Sequence, residues 1–187
     1  GGAWRRAGRR PDGERRTSGS AVLRHALERG VAPETAQDLV GTTYTLERER
    51  AGTEVRDASE FSTLLNATAR YDRADVGLAV CLGDRGDALA EAKRLLRNHR
   101  KNLSEGLQWV KTEGVTHEEN LQWFDAGSRI RETIVGIVAG MAVGSSAVDA
   151  SKPVVAFAEE SAAELKVSAR GSHALVRQGL DLSAARV

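Results

Sequence analysis

The C-terminal part of the chain sets the tightest limit on its fold. It reads in order as a strand ("NLQWFDAG"), a helix ("SRIRETIVGIVAGMAVG"), a strand ("KPVVAFAEE") and another strand ("ELKVSARG"). A strand, a helix and a strand in that order predict a parallel pair joined by a right-handed crossover. The final strand then completes a βαββ core. Ser128 is the candidate N-cap of the helix. Gly136 and Gly140 stand four apart on one helical face, so this helix is expected to lie close against a neighbour. Asp125, at the end of the first strand, fits either a functional acid or a capping residue.

Upstream the pattern is helical. Between Asp87 and Lys111, Leu89, Ala92, Leu96, His99, Leu103, Gly106 and Val110 recur at three- and four-residue spacing. Lys93, Arg94, Arg97, Arg100 and Lys101 fill the other face, partly neutralised by Glu91 and Glu105. Gly114 closes the helix. "DASEFSTLLNATARYD" is a second helix, capped by Asp57 or Ser59, with Phe61, Leu64, Leu65 and Thr68 on one face. "VGLAVCL" fits a strand or a helix. "GTTYTLERE" alternates like a strand. A short helix is expected between Ser20 and Val40, with Pro33 opening another. The predicted organisation is an Arg-rich disordered tail over 1–30, a mostly helical connector over 31–117 and a mixed sheet domain over 118–187. The fold class is α/β, with the sheet incomplete at the C-terminus.

The 187 residues can build a real core, made mainly of Ala, Val, Leu and Ile because aromatics are few. Net charge is near zero, yet residues 1–30 hold eight Arg against three acids. Anion binding in the main body must therefore come from a local cluster. The single cysteine, Cys81, excludes an internal disulfide and fits a cytoplasmic protein. The most apolar run, Thr133 to Val143, is too short to cross a bilayer, so no membrane partner is expected.

"ELKVSARG" carries the most suggestive chemistry. A strand alternates its faces. Leu165, Val167 and Ala169 are expected to point into the core, and Lys166, Ser168 and Arg170 to point together away from it. Two cations and a hydroxyl suit a phosphate or carboxylate. Gly171 removes a side chain where a ligand could come close, and His173 lies near enough to reach the same ligand. Pattern alone, however, favours an ordinary solvent-facing strand edge. In "LLNATARYD", Asn66 and Arg70 share a helical face, where Asn can hydrogen-bond and Arg can clamp an oxyanion. The basic face of the long helix could track a nucleic-acid backbone, although such faces are more often merely solvated. The four histidines are scattered, with no zinc or two-metal spacing, and no phosphate loop, serine elbow or dinucleotide signature occurs.

Together these blocks resemble a known family. "TIVGIVAGMAV…SKPVVAFAEE…ELKVSARG…LVRQGLDLSAA" is similar to the C-terminal DHH-associated domain of RecJ-like phosphoesterases, and "EFSTLLNATARYDRADVGLAVCLGD" resembles the family's N-A-x-x-R connector. The resemblance covers roughly Val40 to Val187. Block spacing agrees with the archaeal branch that associates with the GINS replication complex. The resemblance implies a manganese-dependent, single-strand-specific exonuclease parent, whose metals are held by Asp and His of a DHH domain absent from this sequence. It also implies that Ser168 and Arg170 contact a strand phosphate, that Lys166 supports them, and that Asn66 and Arg70 line the substrate channel. In the family Gly171 is often Ser, so one hydroxyl donor is missing here.

The sequence thus points to the strand-binding part of a RecJ-like phosphodiesterase, itself without hydrolytic activity and missing the family's final glycine-histidine loop. Its expected partners are single-stranded DNA or RNA, the DHH domain and GINS-type proteins. The alternatives are a non-catalytic replication scaffold, or part of an oligonucleotide or dinucleotide phosphoesterase.

Overall fold

The computed structural model describes residues 12–37 and 41–184. The chain divides into two compact units, Gly1–Leu65 and Asn66–Val187.

In the first unit, α1 (Asp12–Glu28) is followed by α2 (Pro33–Gln37). The expected tail is therefore helical from Asp12 onward, and its residues 1–11 lie outside the described part. Gly30, at φ +80°, ends α1. The Gly30 amide donates to the Leu27 carbonyl and the Val31 amide to that of Ala26, which satisfies the last carbonyls of the helix. The strand expected over 41–49 does not form. A single bridge, Thr45 to Asp57, is all that pairs there. With no partner strand, part of the loop backbone is satisfied by a side chain: Arg56 Nη1 donates to the carbonyls of Glu47 and Glu49. Asp57 then caps α3 (Ala58–Arg70), its Oδ1 accepting from the amides of Ser59 at 2.9 Å and Glu60 at 3.1 Å.

The second unit holds the end of α3, then α4 (Ala74–Cys81), which settles "VGLAVCL" as helix, and α5 (Asp87–Glu113). It continues with β1 (Thr116–His117), β2 (Gln122–Asp125), α6 (Glu132–Val143), β3 (Val154–Ser161), β4 (Glu164–Arg170) and α7 (His173–Arg177). The fold is mixed α/β, as expected. The strand order is β1-β2-β3-β4, antiparallel at the two outer pairs and parallel between β2 and β3. α6 is the crossover between the parallel strands. Arg131, not Ser128, precedes it at the N-cap position, and no side chain caps it. Asp125 instead accepts from the Gly127 amide at 2.9 Å, closing the turn after β2. No helix forms over 180–184. Asp181 Oδ1 does accept from the Ser183 amide at 2.9 Å, as a helix cap would, and residues 185–187 lie outside the described part.

α6 is apolar nearly all round because it is covered on two sides, packing against α5 as well as against β3 and β4. Ile134, Val135, Val138, Ala139 and Ala142 join Val110, Phe124, Val154, Ala156 and Ala158 in one core. α5 follows the predicted stripe: Leu89, Ala92, Leu95, Leu96, His99, Gly106 and Val110 are buried. Gly114, at φ +81°, ends it, with its amide bonded to the Val110 carbonyl. On the opposite face Glu91 binds Arg94 at 2.6 Å and Glu105 sits 3.7 Å from Lys101.

The orientation of β4 reverses the expectation. Val154 pairs with Arg170, Ala156 with Ser168 and Ala158 with Lys166, and those three β3 residues are fully buried. Lys166, Ser168 and Arg170 therefore share the face that α6 covers. Leu165 and Val167, expected in the core, stand 57% and 45% exposed on the other face. Strand register is all-or-none, since a one-residue slip turns every side chain over. Here β3 fixes it, by placing its smallest and most buried residues under the helix.

Candidate nucleic-acid interface

The glycines of α6 make room for the polar side chains of β4. A methyl group at position 136 would sit 2.6 Å from both Arg170 Nη2 and Ser168 Oγ, and one at position 140 would lie 3.8 Å from the Arg170 stem. The helix therefore lies almost directly on the two side chains. Ser168 is half-buried. Arg170 is exposed, and its Nη1 donates to its own strand, at the Ala169 carbonyl, at 2.7 Å. Lys166 is exposed further along the same row.

Arg70 reaches the same helix from α3. Its Nη1 donates to the Thr133 carbonyl at 3.0 Å. Thr133 and Gly136 are three residues apart, so Arg70, Ser168 and Arg170 converge within about one turn of α6. Asn66 lies exposed one turn before Arg70 on α3. Arg70, far away in sequence, is thus brought to the same short stretch of helix as Ser168 and Arg170. Among the described residues neither Arg70 nor Arg170 has a carboxylate partner.

Two other predicted residues take different places. The space over Gly171 is filled by Leu180, whose Cδ2 would lie 2.6 Å from a Cβ there, so this glycine seats the chain after α7 and not a ligand. His173 is exposed at the start of α7, whose N-cap Ser172 accepts from the Leu175 amide.

A third arginine escaped the sequence reading. Arg131, just before α6, stacks over the Tyr71 ring at 5.2 Å and lies 3.6 Å from Asp72. Tyr71 in turn accepts from Asn102 Nδ2 at 2.7 Å and packs edge-on to His99. This cluster fixes the end of α3, and with it Arg70, against α5 and α6. Burial, and then the charges of Arg70 and Arg100, hold the His99 imidazole below its usual pKa. Among the described residues, His99 Nδ1 and Thr133 Oγ1 are buried without a hydrogen-bond partner. The sequence signal for Arg131 was only a cation next to a helix start, which many surface arginines share.

Nearby, Arg73 binds Asp75 at 3.1 Å and Glu91 at 3.2 Å. Its hydrogen bond holds Asp75 below the usual carboxylate range, while Glu91 is lowered mainly by Arg94. These arginines are committed to carboxylates, unlike Arg70 and Arg170. Two clefts also occur, one of about 410 Å³ at the end of β2 beside Asp125 and Glu159, the other of about 300 Å³ between α5 and α6 near Arg131. Neither is lined by Ser168 or Arg170. The histidines lie on α1, α5, β1 and α7, and no group of three metal-binding side chains assembles among the described residues. Among the described residues, no helix is long and apolar enough to cross a membrane.

No family model matches the chain. It is 33% identical over 131 residues, 70% of its length, to an uncharacterized protein of Methanocaldococcus jannaschii. The chain spans only 27% of that relative's length.

Proposed function

We propose that this chain grips the phosphate backbone of single-stranded DNA or RNA, as the strand-binding part of a RecJ-like phosphodiesterase. One observation carries the reading: Ser168 and Arg170 from β4 and Arg70 from α3 meet on one turn of α6 with their guanidinium groups unneutralised by carboxylates. Arg presents paired donors that match a phosphate, and a serine hydroxyl adds a third. Lys166 extends the cationic row and Asn66 adds an amide one turn from Arg70. Arg170, Lys166, Arg70 and Asn66 are all exposed, which suits a polymer whose phosphates recur better than a small enclosed ligand. In the parent enzyme, manganese held by the DHH domain would supply the activated water. This chain's part is to position the strand, and alone it is expected not to hydrolyse it.

A labelled single-stranded oligonucleotide tests the reading by fluorescence anisotropy at several salt concentrations. Arg170→Ala is expected to weaken binding about tenfold and to lower the salt slope by about one. Ser168→Ala is expected to weaken it less. Unchanged affinity in both variants would overturn the proposal. Competition by a dinucleotide as strong as that of a long strand would point to a small-nucleotide phosphoesterase instead.

A scaffold role, with DHH or GINS-type proteins as partners, draws on a different observation. Leu78 and Leu82 stand 61% and 80% exposed on one side of α4, an apolar pair that a partner protein could cover. Loss of binding to those proteins in Leu78→Ser with strand binding intact would separate the two roles.

A further inference from the structure

β4 is the outer strand of its sheet, and among the described residues no strand pairs with its free edge. It is seven residues long, and Leu165 and Val167 on it are largely exposed. An uncovered edge strand with exposed apolar side chains is a template for another strand. What that strand should be is written in the sequence of β4, ELKVSAR.

Lay β4 antiparallel on itself, about a two-fold axis through Val167. Glu164 then faces the second copy's Arg170, Leu165 faces Ala169, Lys166 faces Ser168, and Val167 faces Val167. The symmetry makes two Glu–Arg pairs and sets no like charges opposite each other. Sliding the strands by two residues one way sets Lys166 against Lys166. Sliding them the other way sets Lys166 against Arg170 twice. Charge thus selects one register. Among the described residues Glu164, Lys166 and Arg170 have no ion-pair partner within the chain. The same register joins the exposed apolar rows of Leu165, Val167 and Ala169 into one.

We propose that two copies of this chain pair through β4 in this register, making a continuous eight-stranded sheet. The inference rests on strand geometry and charge; it draws on Arg170, which the nucleic-acid reading also uses, so in the dimer the second copy's Glu164 and a strand phosphate would compete for that guanidinium.

Disulfide trapping tests the register. Cys81 is exposed and is first replaced by Ser. In that background Val167→Cys sits on the axis, where the paired Cα atoms lie about 4.5–5.5 Å apart, within disulfide reach. Leu165→Cys lies about 13 Å from its mate, beyond reach. Mild oxidation is expected to join Val167→Cys into a covalent dimer and to leave Leu165→Cys uncrosslinked. The reverse pattern, or equal crosslinking, overturns the register. Sedimentation of the intact chain adds an independent measure. Glu164→Arg is expected to weaken dimerisation by on the order of tenfold or more, and Glu164→Arg with Arg170→Glu to restore it. A chain that stays monomeric at about 100 µM, a concentration at which weak dimers form, or a dimer indifferent to Glu164→Arg, refutes the proposal.

Discussion

Replacing Gly136 by Ala asks whether α6 seats Ser168 and Arg170 as tightly as the geometry indicates. The new methyl would lie 2.6 Å from Ser168 Oγ, 2.6 Å from Arg170 Nη2 and 3.2 Å from Ser168 Cβ. The guanidinium can swing away and the serine hydroxyl can rotate, but Ser168 Cβ is tied to the strand and must move by some tenths of an ångström. Overpacking of this kind costs about 1–3 kcal/mol. Alanine in mid-helix returns about 0.5–1 kcal/mol. The net expectation is a loss of about 0–2.5 kcal/mol, a fall in melting temperature of up to about 10 °C at this chain length. Gly140→Ala is the control on the same helix. Its methyl would meet nothing closer than 3.8 Å, so the helical gain stands alone and the protein should melt about 2–4 °C higher. The two variants, compared by thermal melting followed by circular dichroism, should thus move in different directions. Strand binding should fall about tenfold in Gly136→Ala, the equivalent of one displaced guanidinium contact, and hold in Gly140→Ala. If Gly136→Ala were the more stabilising of the two and bound strands normally, the close seat of β4 under α6 would be wrong.

Other expectations follow from single contacts. Asp57→Ala removes the cap of α3 and should cost about 0.5–2 kcal/mol by urea denaturation, whereas Asp57→Asn should cost less because it keeps an acceptor. Gln122 is fully buried and ties the 149–152 turn, donating to the carbonyls of Asp149 and Lys152 and accepting from the Asp149 amide. Gln122→Ala leaves those groups unpaired and should cost about 3 kcal/mol or more, read from the same denaturation curves. The His99 pKa is lowered in the fold, so the unfolded chain takes up a proton first as pH falls through the ordinary value of 6.5. Stability from this group is therefore complete above that pH and lost progressively below it. Urea midpoints at about pH 7.5 and pH 5.5 should differ in the wild type and differ less in His99→Leu. An equal drop in both would remove His99 as the cause.

Much of the chain from Asp57 onward was legible from local pattern. The stripe on α5, the cap at Asp57, the stop at Gly114, the crossover helix between parallel strands and the close approach at Gly136 and Gly140 all follow from spacing, capping and side-chain size. These depend on a residue's immediate neighbours along the chain. The failures share a different cause. "GTTYTLERE" alternates well, but a strand needs a partner, and its carbonyls found only isolated ones, the Arg56 guanidinium and the amides of Glu49 and Ala58. Ser128 had the right chemistry for a cap, yet the turn closed by Asp125 delayed the helix to Glu132.

β4 shows the division best. The sequence by itself determined that Lys166, Ser168 and Arg170 share one face and Leu165, Val167 and Ala169 the other, because alternation is a property of the extended backbone. It could not determine which face meets the helix. Hydrophobicity alone assigns the apolar row to the core, and that assignment is reversed. The decision lay with β3, whose buried Val154, Ala156 and Ala158 fix the register of the hairpin, and with α6, whose glycines leave space for an arginine and a serine beneath a helix. That choice brings Arg170 to the turn of α6 that Arg70 also reaches, and it leaves Leu165 and Val167 at an open edge.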